Sequence, residues 1–239
     1  MPKIVEFAKV REEDMKRLAG IIMFLAMVMA SVSASAEGTG MYLAPKFLMS
    51  IQNTGTVSRS SSLAGTGVDE YNQFTLGGAF ALGLDLWQQQ MIPLRFEVEV
   101  ALRGNSEKSW SDNAYWVDSI KGTWNNTTIF ANLFWDFHNE SPFTPYIGGG
   151  LGLALNYTGY DCQLPNGSTY SFDDRQTNFA WNAGAGVAYN INENFALDAS
   201  YRFVGLGYNE VSTTINGTKY EIGNEPYNNE FMLGLRFTF

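Results

Sequence analysis

From Met41 onward, apolar and polar residues alternate. Every second position gives Met41, Leu43, Pro45, Phe47, Met49 and Ile51, against Tyr42, Ala44, Lys46, Leu48, Ser50 and Gln52. A period of two puts successive side chains on opposite faces of a strand, whereas a helix repeats every 3.6 residues. Seven more runs follow, at 74–87, 92–103, 128–137, 146–156, 178–189, 195–203 and 230–239. The cleanest sets Ile92, Leu94, Phe96, Val98, Val100 and Leu102 against Pro93, Arg95, Glu97, Glu99, Ala101 and Arg103. No stretch past residue 37 approaches the roughly 20 apolar residues of a membrane-spanning helix.

The connections alternate in length. Segments 88–91, 138–143 and 190–194 are short, while 53–73, 104–127, 157–176 and 205–229 are long and rich in Ser, Thr, Asn, Gly and acidic residues. The pattern predicts an all-β, eight-stranded, antiparallel up-and-down barrel with four long loops at one end. Three short turns and both termini lie at the other.

Charge placement decides what the barrel is dissolved in. The apolar row carries no Asp, Glu, Lys, Arg or His in any run. The other row carries Lys46, Asp85, Arg95, Glu97, Glu99, Arg103, Asp136, Asp198, Arg202, Glu230 and Arg236, five basic and six acidic. A lipid-facing Arg or Lys near the bilayer midplane costs about 2 to 4 kcal/mol, so an uncharged outer row is what a membrane selects. A soluble lipocalin-like barrel would have to hold all the Leu and Phe inside, and an eight-stranded interior is too narrow for that. The charged row is therefore expected inside, paired with itself, because unpaired buried charges are expensive. Aromatic residues gather in two tiers: Phe74, Phe179, Trp181, Phe203 and Phe231 toward the loops, and Trp135, Phe137, Tyr189, Phe195, Phe237 and Phe239 toward the turns. These are the two interfacial girdles.

The first residues read as an export signal. Met15-Lys16-Arg17 precedes the apolar run 18–30, and the small residues Ala34-Ser35-Ala36 close it. This is the layout of a cleavable signal peptide, with cleavage after Ala36 and the barrel over 37–239. Residues 1–14 fit neither part and place the true start at Met15. No cysteine follows the cleavage point to carry a lipid anchor.

Composition narrows the function classes. The chain has 239 residues, 45% hydrophobic and 16% charged, and a formal charge of −9. That charge argues against a nucleic-acid partner, which needs Lys and Arg against phosphate. Cys162 is the only cysteine, so neither an intrachain disulfide nor a Cys-based zinc site is available. It is expected to be an incidental thiol in a loop. No catalytic, cofactor-binding or metal-ligating set is expected. His138, the only histidine, falls in a short turn, away from any outer-leaflet substrate.

The ending Asn229-Glu230-Phe231-Met232-Leu233-Gly234-Leu235-Arg236-Phe237-Thr238-Phe239 resembles the assembly signal of bacterial outer-membrane barrels. The segment Pro145-Tyr146-Ile147-Gly148-Gly149-Gly150-Leu151-Gly152 is similar to one in OmpA-like and opacity-type eight-stranded proteins, with OmpW-like barrels as a second relative. The resemblance implies an outer-membrane location, periplasmic termini, a barrel-assembly partner for the last strand, and a monomer. No peptidoglycan-binding domain follows the barrel, so that tethering role is not implied.

The function expected is non-enzymatic display of surface loops for adhesion, contact with a host or matrix ligand, or envelope structure. The alternative is a narrow OmpW-like conduit for small solutes, suggested by the inward residues Gly77, Gly83, Gly148, Gly150, Gly152, Gly184 and Gly186. Against it stand Trp87, Tyr146, Phe130 and Phe134, which would fill the lumen.

Overall fold

The computed structural model describes residues 38–59, 72–111, 118–164, 167–215 and 218–239. The export signal expected over 1–36 lies outside the described residues.

Eight strands close into a ring. In ring order they are β4 (Leu94–Arg103), β3 (Asn72–Asp85), β1 (Met41–Asn53), β12 (Tyr227–Thr238), β9 (Phe195–Gly205), β8 (Thr169–Asn190), β7 (Phe143–Gln163) and β6 (Ser119–Asp136). Antiparallel pairing of β4 with β6, from Leu94↔Trp135 to Leu102↔Thr127, completes the circle. Closure leaves no unpaired edge in the wall, the condition for crossing a bilayer with strands.

The short connections share one end with the start of β1 and the finish of β12. The one after β3 is a single helical turn, α1 (Trp87–Gln90), which Met91 ends at φ 54°. The other two are held by asparagine side chains. Asn139 Oδ1 accepts from Ser141 N at 2.8 Å, and Asn192 Oδ1 accepts from Asn194 N and Phe195 N at 2.9 Å each. Such bonds are why Asn stands in turns.

The predicted parity holds across the wall. Phe47, Leu76, Val98, Leu151 and Leu233 are each about half exposed or more, while Arg95, Glu97, Glu99, Arg202 and Glu230 are at most 4% exposed. Apolar side chains form the outer surface and ions form the core, the reverse of a soluble domain. Paired rings mark both margins, Trp181 with Phe203 and Tyr201 with Phe231 near the loops, and Phe143 with Tyr189 and Phe195 with Phe237 near the turns. Val98 sits mid-strand in β4, so Val98→Arg is expected to destabilise the barrel by about 2 to 4 kcal/mol, and Val98→Leu by almost nothing. Urea titration of barrels refolded in lipid vesicles reads the difference.

The long loops depart from expectation. Strands β6, β7 and β8 run through much of segments 104–127 and 157–176, reaching 18, 21 and 22 residues. Among the described residues, four further strands stand above the wall: β2 (Val57–Arg59), β5 (Ser106–Ser111), β10 (Asn209–Ile215) and β11 (Thr218–Asn224). β5 continues the outer sheet on β6, and β10, β11 and β2 form a separate three-stranded sheet. The two pack against each other as a crown.

Candidate functional site

No cluster of metal-ligating residues occurs among the described residues. Two polar or packed regions remain that could carry function: the lumen and the crown.

The lumen is filled by a ladder of ion pairs. At the turn end, Asp136 receives Arg95 Nε and Nη2 at 3.0 and 3.1 Å, a two-pronged pair. Arg95 also donates to Tyr42 Oη at 3.1 Å, and Tyr42 donates to Glu97 at 2.9 Å. Lys46 Nζ bridges Glu97 and Glu99 at 2.5 and 2.7 Å. Arg202 then joins Glu99 at 2.5 Å to Glu230 at 2.8 Å, and Arg103 Nε closes on Glu230 at 2.5 Å. To one side, Asp198 accepts from Arg236 at 2.8 Å and from Tyr146 Oη at 2.6 Å.

The cations are Lys46, Arg95, Arg103, Arg202 and Arg236, and the anions are Glu97, Glu99, Asp136, Asp198 and Glu230, so the set is neutral. Asp85, the sixth acid of the sequence count, has the inward parity but lies beyond the ladder. Its carboxylate accepts the Trp87 backbone N–H at 2.9 Å and anchors α1. A buried charge is tolerable only when it is paired, and every ion of the ladder has an opposite charge within 3.0 Å, although Arg103 Nη2 and Arg202 Nη2 have no hydrogen-bond partner of their own among the described residues.

The inward glycines do not leave open space. A side-chain carbon at Gly83 would collide with the Tyr42 ring, one at Gly148 with Phe134, and one at Gly186 with Tyr146. Each of these three glycines is the socket for a neighbouring ring, while Gly77, Gly152 and Gly184 lie against the backbone of the next strand, and Arg95 lies over the Phe134 and Tyr146 rings at 4.3 and 4.8 Å. A cavity beside the ladder measures about 20 Å³, room for a single water. Of the four residues expected to fill the lumen, Phe130, Phe134 and Tyr146 do so. Trp87 does not: it belongs to α1 and stacks on His138, ring centroids 3.9 Å apart. That stack keeps His138 at the turn end, as its place in the sequence implied.

Above the ladder the polarity of the wall inverts. On β6 the inward row continues as Thr128, Asn126, Trp124, Gly122 and Ile120, while outward Ile129 gives way to Thr127, Asn125, Thr123 and Lys121. Clear of lipid, the strands follow the rule of a soluble sandwich, apolar inside and polar outside. Ile120, Trp124 and Tyr160 from the outer sheet enclose Ile222 from β11, with Val57, Trp110, Cys162 and Leu164 around them. Trp124 meets Trp110 and Tyr160 edge to face at 5.8 and 5.4 Å. Below it, Phe130, Ala154, Ala180, Val204 and Leu206 make a second apolar layer, fully buried. Polar side chains fasten the inner sheet to the wall. Asn156 Nδ2 donates to Leu206 O at 3.2 Å and to Asn209 Oδ1 at 3.0 Å, and Asn178 Nδ2 donates to Tyr208 O at 2.7 Å. Gln176 accepts from Glu210 N at 3.1 Å and donates back to its carbonyl.

Cys162 is therefore not a loop residue. It ends the inward row of β7 at the rim of the crown core. Burial, and then the neighbouring Asp161 carboxylate, raise its thiol above the ordinary range. A raised pKa means less thiolate at neutral pH, so maleimide labelling is expected to run slower than for a free thiol at pH 7.5. The rate should climb with pH beyond the usual cysteine midpoint, and unfolding should remove the difference.

The chain is similar to known proteins of the outer membrane. Outer membrane protein PagN of Salmonella typhimurium is 29% identical over 240 residues, covering 94% of this chain and all of that protein. Among solved structures, Neisserial surface protein A is 21% identical with a TM-score of 0.46, covering 84% of this chain and 97% of its own. Ail, the attachment invasion locus protein of Yersinia pestis, is 15% identical with a TM-score of 0.43, covering 82% and 98%. The family model of the outer membrane protein beta-barrel domain matches residues 21–239. With a closed eight-stranded wall, a charged core and a lipid-facing apolar surface all present, this chain belongs to that family and is an integral protein of the outer membrane.

Proposed function

We propose that the protein is a non-enzymatic surface protein whose barrel holds the crown rigidly outside the cell as a contact surface for attachment. One observation carries this reading: the protein invests its loop sequence in a packed two-layer fold over a lumen that is already filled. A channel needs a continuous path, and the ion ladder, the Phe130 layer and the Trp124 core stand in series across it. A crown nucleophile activated by histidine would need that imidazole beside it. The single imidazole is at the opposite end, stacked on Trp87.

In this reading the short turns and both ends of the barrel face the periplasm, the crown faces the medium, and residues 1–36 are the export signal. A single barrel is the functional unit. Strand β12, with Phe231, Leu233, Leu235 and Phe237 on one face, is the segment offered to the assembly machinery before it zips to β1.

The test replaces the hairpin formed by β10 and β11 with a two-residue turn and measures attachment of expressing cells to epithelial monolayers and to purified matrix proteins. Attachment should fall to the level of cells lacking the protein. Planar-bilayer recordings of the intact protein should show no stepwise conductance. Unchanged attachment together with clear conductance would transfer the function to the lumen.

A further inference from the structure

The lipid-facing wall is not uniformly studded. A groove of about 820 Å³ crosses it, bordered by Gly78, Phe47, Leu233, Ala199, Val187 and Tyr189. Small outward residues at Gly78 and Ala199 open it, and large ones bank it. Lys46 and Asp198 border it from within, each already held in the lumen, by Glu97 and Glu99 and by Arg236.

Its course follows from register. Val187 pairs with Ala199, Ala199 with Leu233, Leu233 with Phe47, and Phe47 with Gly78, so one hydrogen-bonding row runs through five strands. Val187 stands three residues above the turn end of β8, Ala199 four above that of β9, and Leu233 five above that of β12. Phe47 stands six above that of β1 and Gly78 seven above that of β3. The row therefore climbs as it goes round. Four inter-strand steps of about 4.8 Å make it about 19 Å long. Seven residues of strand tilted near 40° rise about 18 Å, so the upper end lies near the middle of a hydrocarbon layer about 30 Å thick. The lower end opens at the Phe143–Tyr189 pair of the turn-side girdle, and beyond Gly78 the row meets the exposed Leu102 of β4. The groove thus spans one leaflet, from the turn-side interface to the midplane.

We infer that this groove is a seat for one acyl chain of a glycerophospholipid from the periplasmic leaflet. The surface is continuous with the lipid-facing band, its exposed lining is apolar, and only lipid tails occur at that depth. The groove matches one leaflet in height and opens toward the turns, which selects the periplasmic leaflet over the outer one. A chain laid over Gly78 and Ala199, with Phe47 and Tyr189 beside it, makes more contacts than a chain against an evenly studded wall. The orientation rests on the family's topology and not on what the crown binds.

The experiment fills the groove. A side-chain carbon at Gly78 would meet only Lys46 O, at 3.6 Å, so the position tolerates a larger residue, and Ala199 faces outward and exposed. Gly78→Phe with Ala199→Phe is compared with wild type and with Ala131→Phe, an exposed outward position on β6 across the barrel. Native mass spectrometry of protein extracted from outer membranes in mild detergent counts retained lipid. Wild type and Ala131→Phe should each keep one glycerophospholipid, and the double variant at least fivefold less. In phosphatidylcholine vesicles doped with a chain-spin-labelled phospholipid, the immobilised fraction should fall in step. Equal retention in all three, equal loss in Ala131→Phe, retained lipopolysaccharide in place of phospholipid, or a second barrel in the complex would overturn the assignment. Heat-modifiable gel migration verifies folding, and Gly78→Leu with Ala199→Leu replaces the Phe pair if that variant does not fold.

Discussion

Glu230→Leu is expected to cost about 3 to 5 kcal/mol, enough to lower sharply the temperature at which the barrel loses its compact gel form. Glu230 is fully buried and accepts from Arg103 Nε, Arg202 Nε, Asn228 Nδ2 and Ser50 Oγ. Its loss leaves Arg103 with Thr128 Oγ1 and the Ala101 carbonyl as acceptors, neither of them charged. Arg202 keeps only Glu99, which already serves Lys46. The core then carries a net positive charge in a packed lumen, with room for little water to screen it. Removing a cation as well should restore neutrality, so Glu230→Leu with Arg103→Met is expected to recover most of the loss. Urea unfolding of the single and double variants in vesicles measures both. A cost under about 1 kcal/mol for the single variant would mean that water reaches the ladder, and the sealed lumen would have to be given up.

The wall was legible in the sequence because a bilayer enforces one simple rule at every outward position. Phe47, Val98 and Leu233 are apolar for the same reason, and the strict alternation of 92–103 follows. Pairing inside was foreseeable from the mixed signs of Arg95, Glu97 and Glu99. Which acid serves which base was not, since that depends on ring closure bringing Glu230 of the last strand beside Arg103 of the third barrel strand. Asp85 shows the limit of parity, which fixes the face but not the height, and its height put it against α1. The inward glycines were the ambiguous signal, and the filling that Tyr146, Phe130 and Phe134 implied is the reading that holds. A glycine row reads as empty space, but the residues that occupy it, Tyr42, Phe134 and Tyr146, come from neighbouring positions across the sheet.

The crown was hidden by composition. Segments 104–127 and 157–176 are rich in Asn, Ser, Thr and Gly, and such stretches ordinarily form loops. A period-two signal was nevertheless there, in Ile120, Gly122 and Trp124 and in Thr158, Tyr160 and Cys162. It carries the opposite polarity from the wall, because the solvent outside it is water. A single hydrophobic parity carried along the whole chain therefore reads the wall correctly and the crown as noise.

That change of solvent predicts that the two halves of the same strands can be separated energetically. Trp124 is 5% exposed and touches Trp110, Tyr160 and Ile222, so Trp124→Ala should remove about 3 to 5 kcal/mol of packing, all of it above the membrane. The ladder and the lipid-facing band share none of these contacts. Hydrogen exchange should therefore accelerate by two to three orders of magnitude at the β6–β7 pairs from Ser119↔Gln163 to Trp124↔Thr158, while the pairs from Ile129↔Leu153 to Asp136↔Tyr146 stay protected. The heat-modified gel shift should stay near its wild-type temperature, and protease added to whole cells should begin to cut the crown. If attachment depends on a rigid crown, it should fall in Trp124→Ala although the barrel is folded and correctly placed. If exchange instead accelerates uniformly down to Asp136, the crown and the wall form one cooperative unit, and the separation by solvent is wrong.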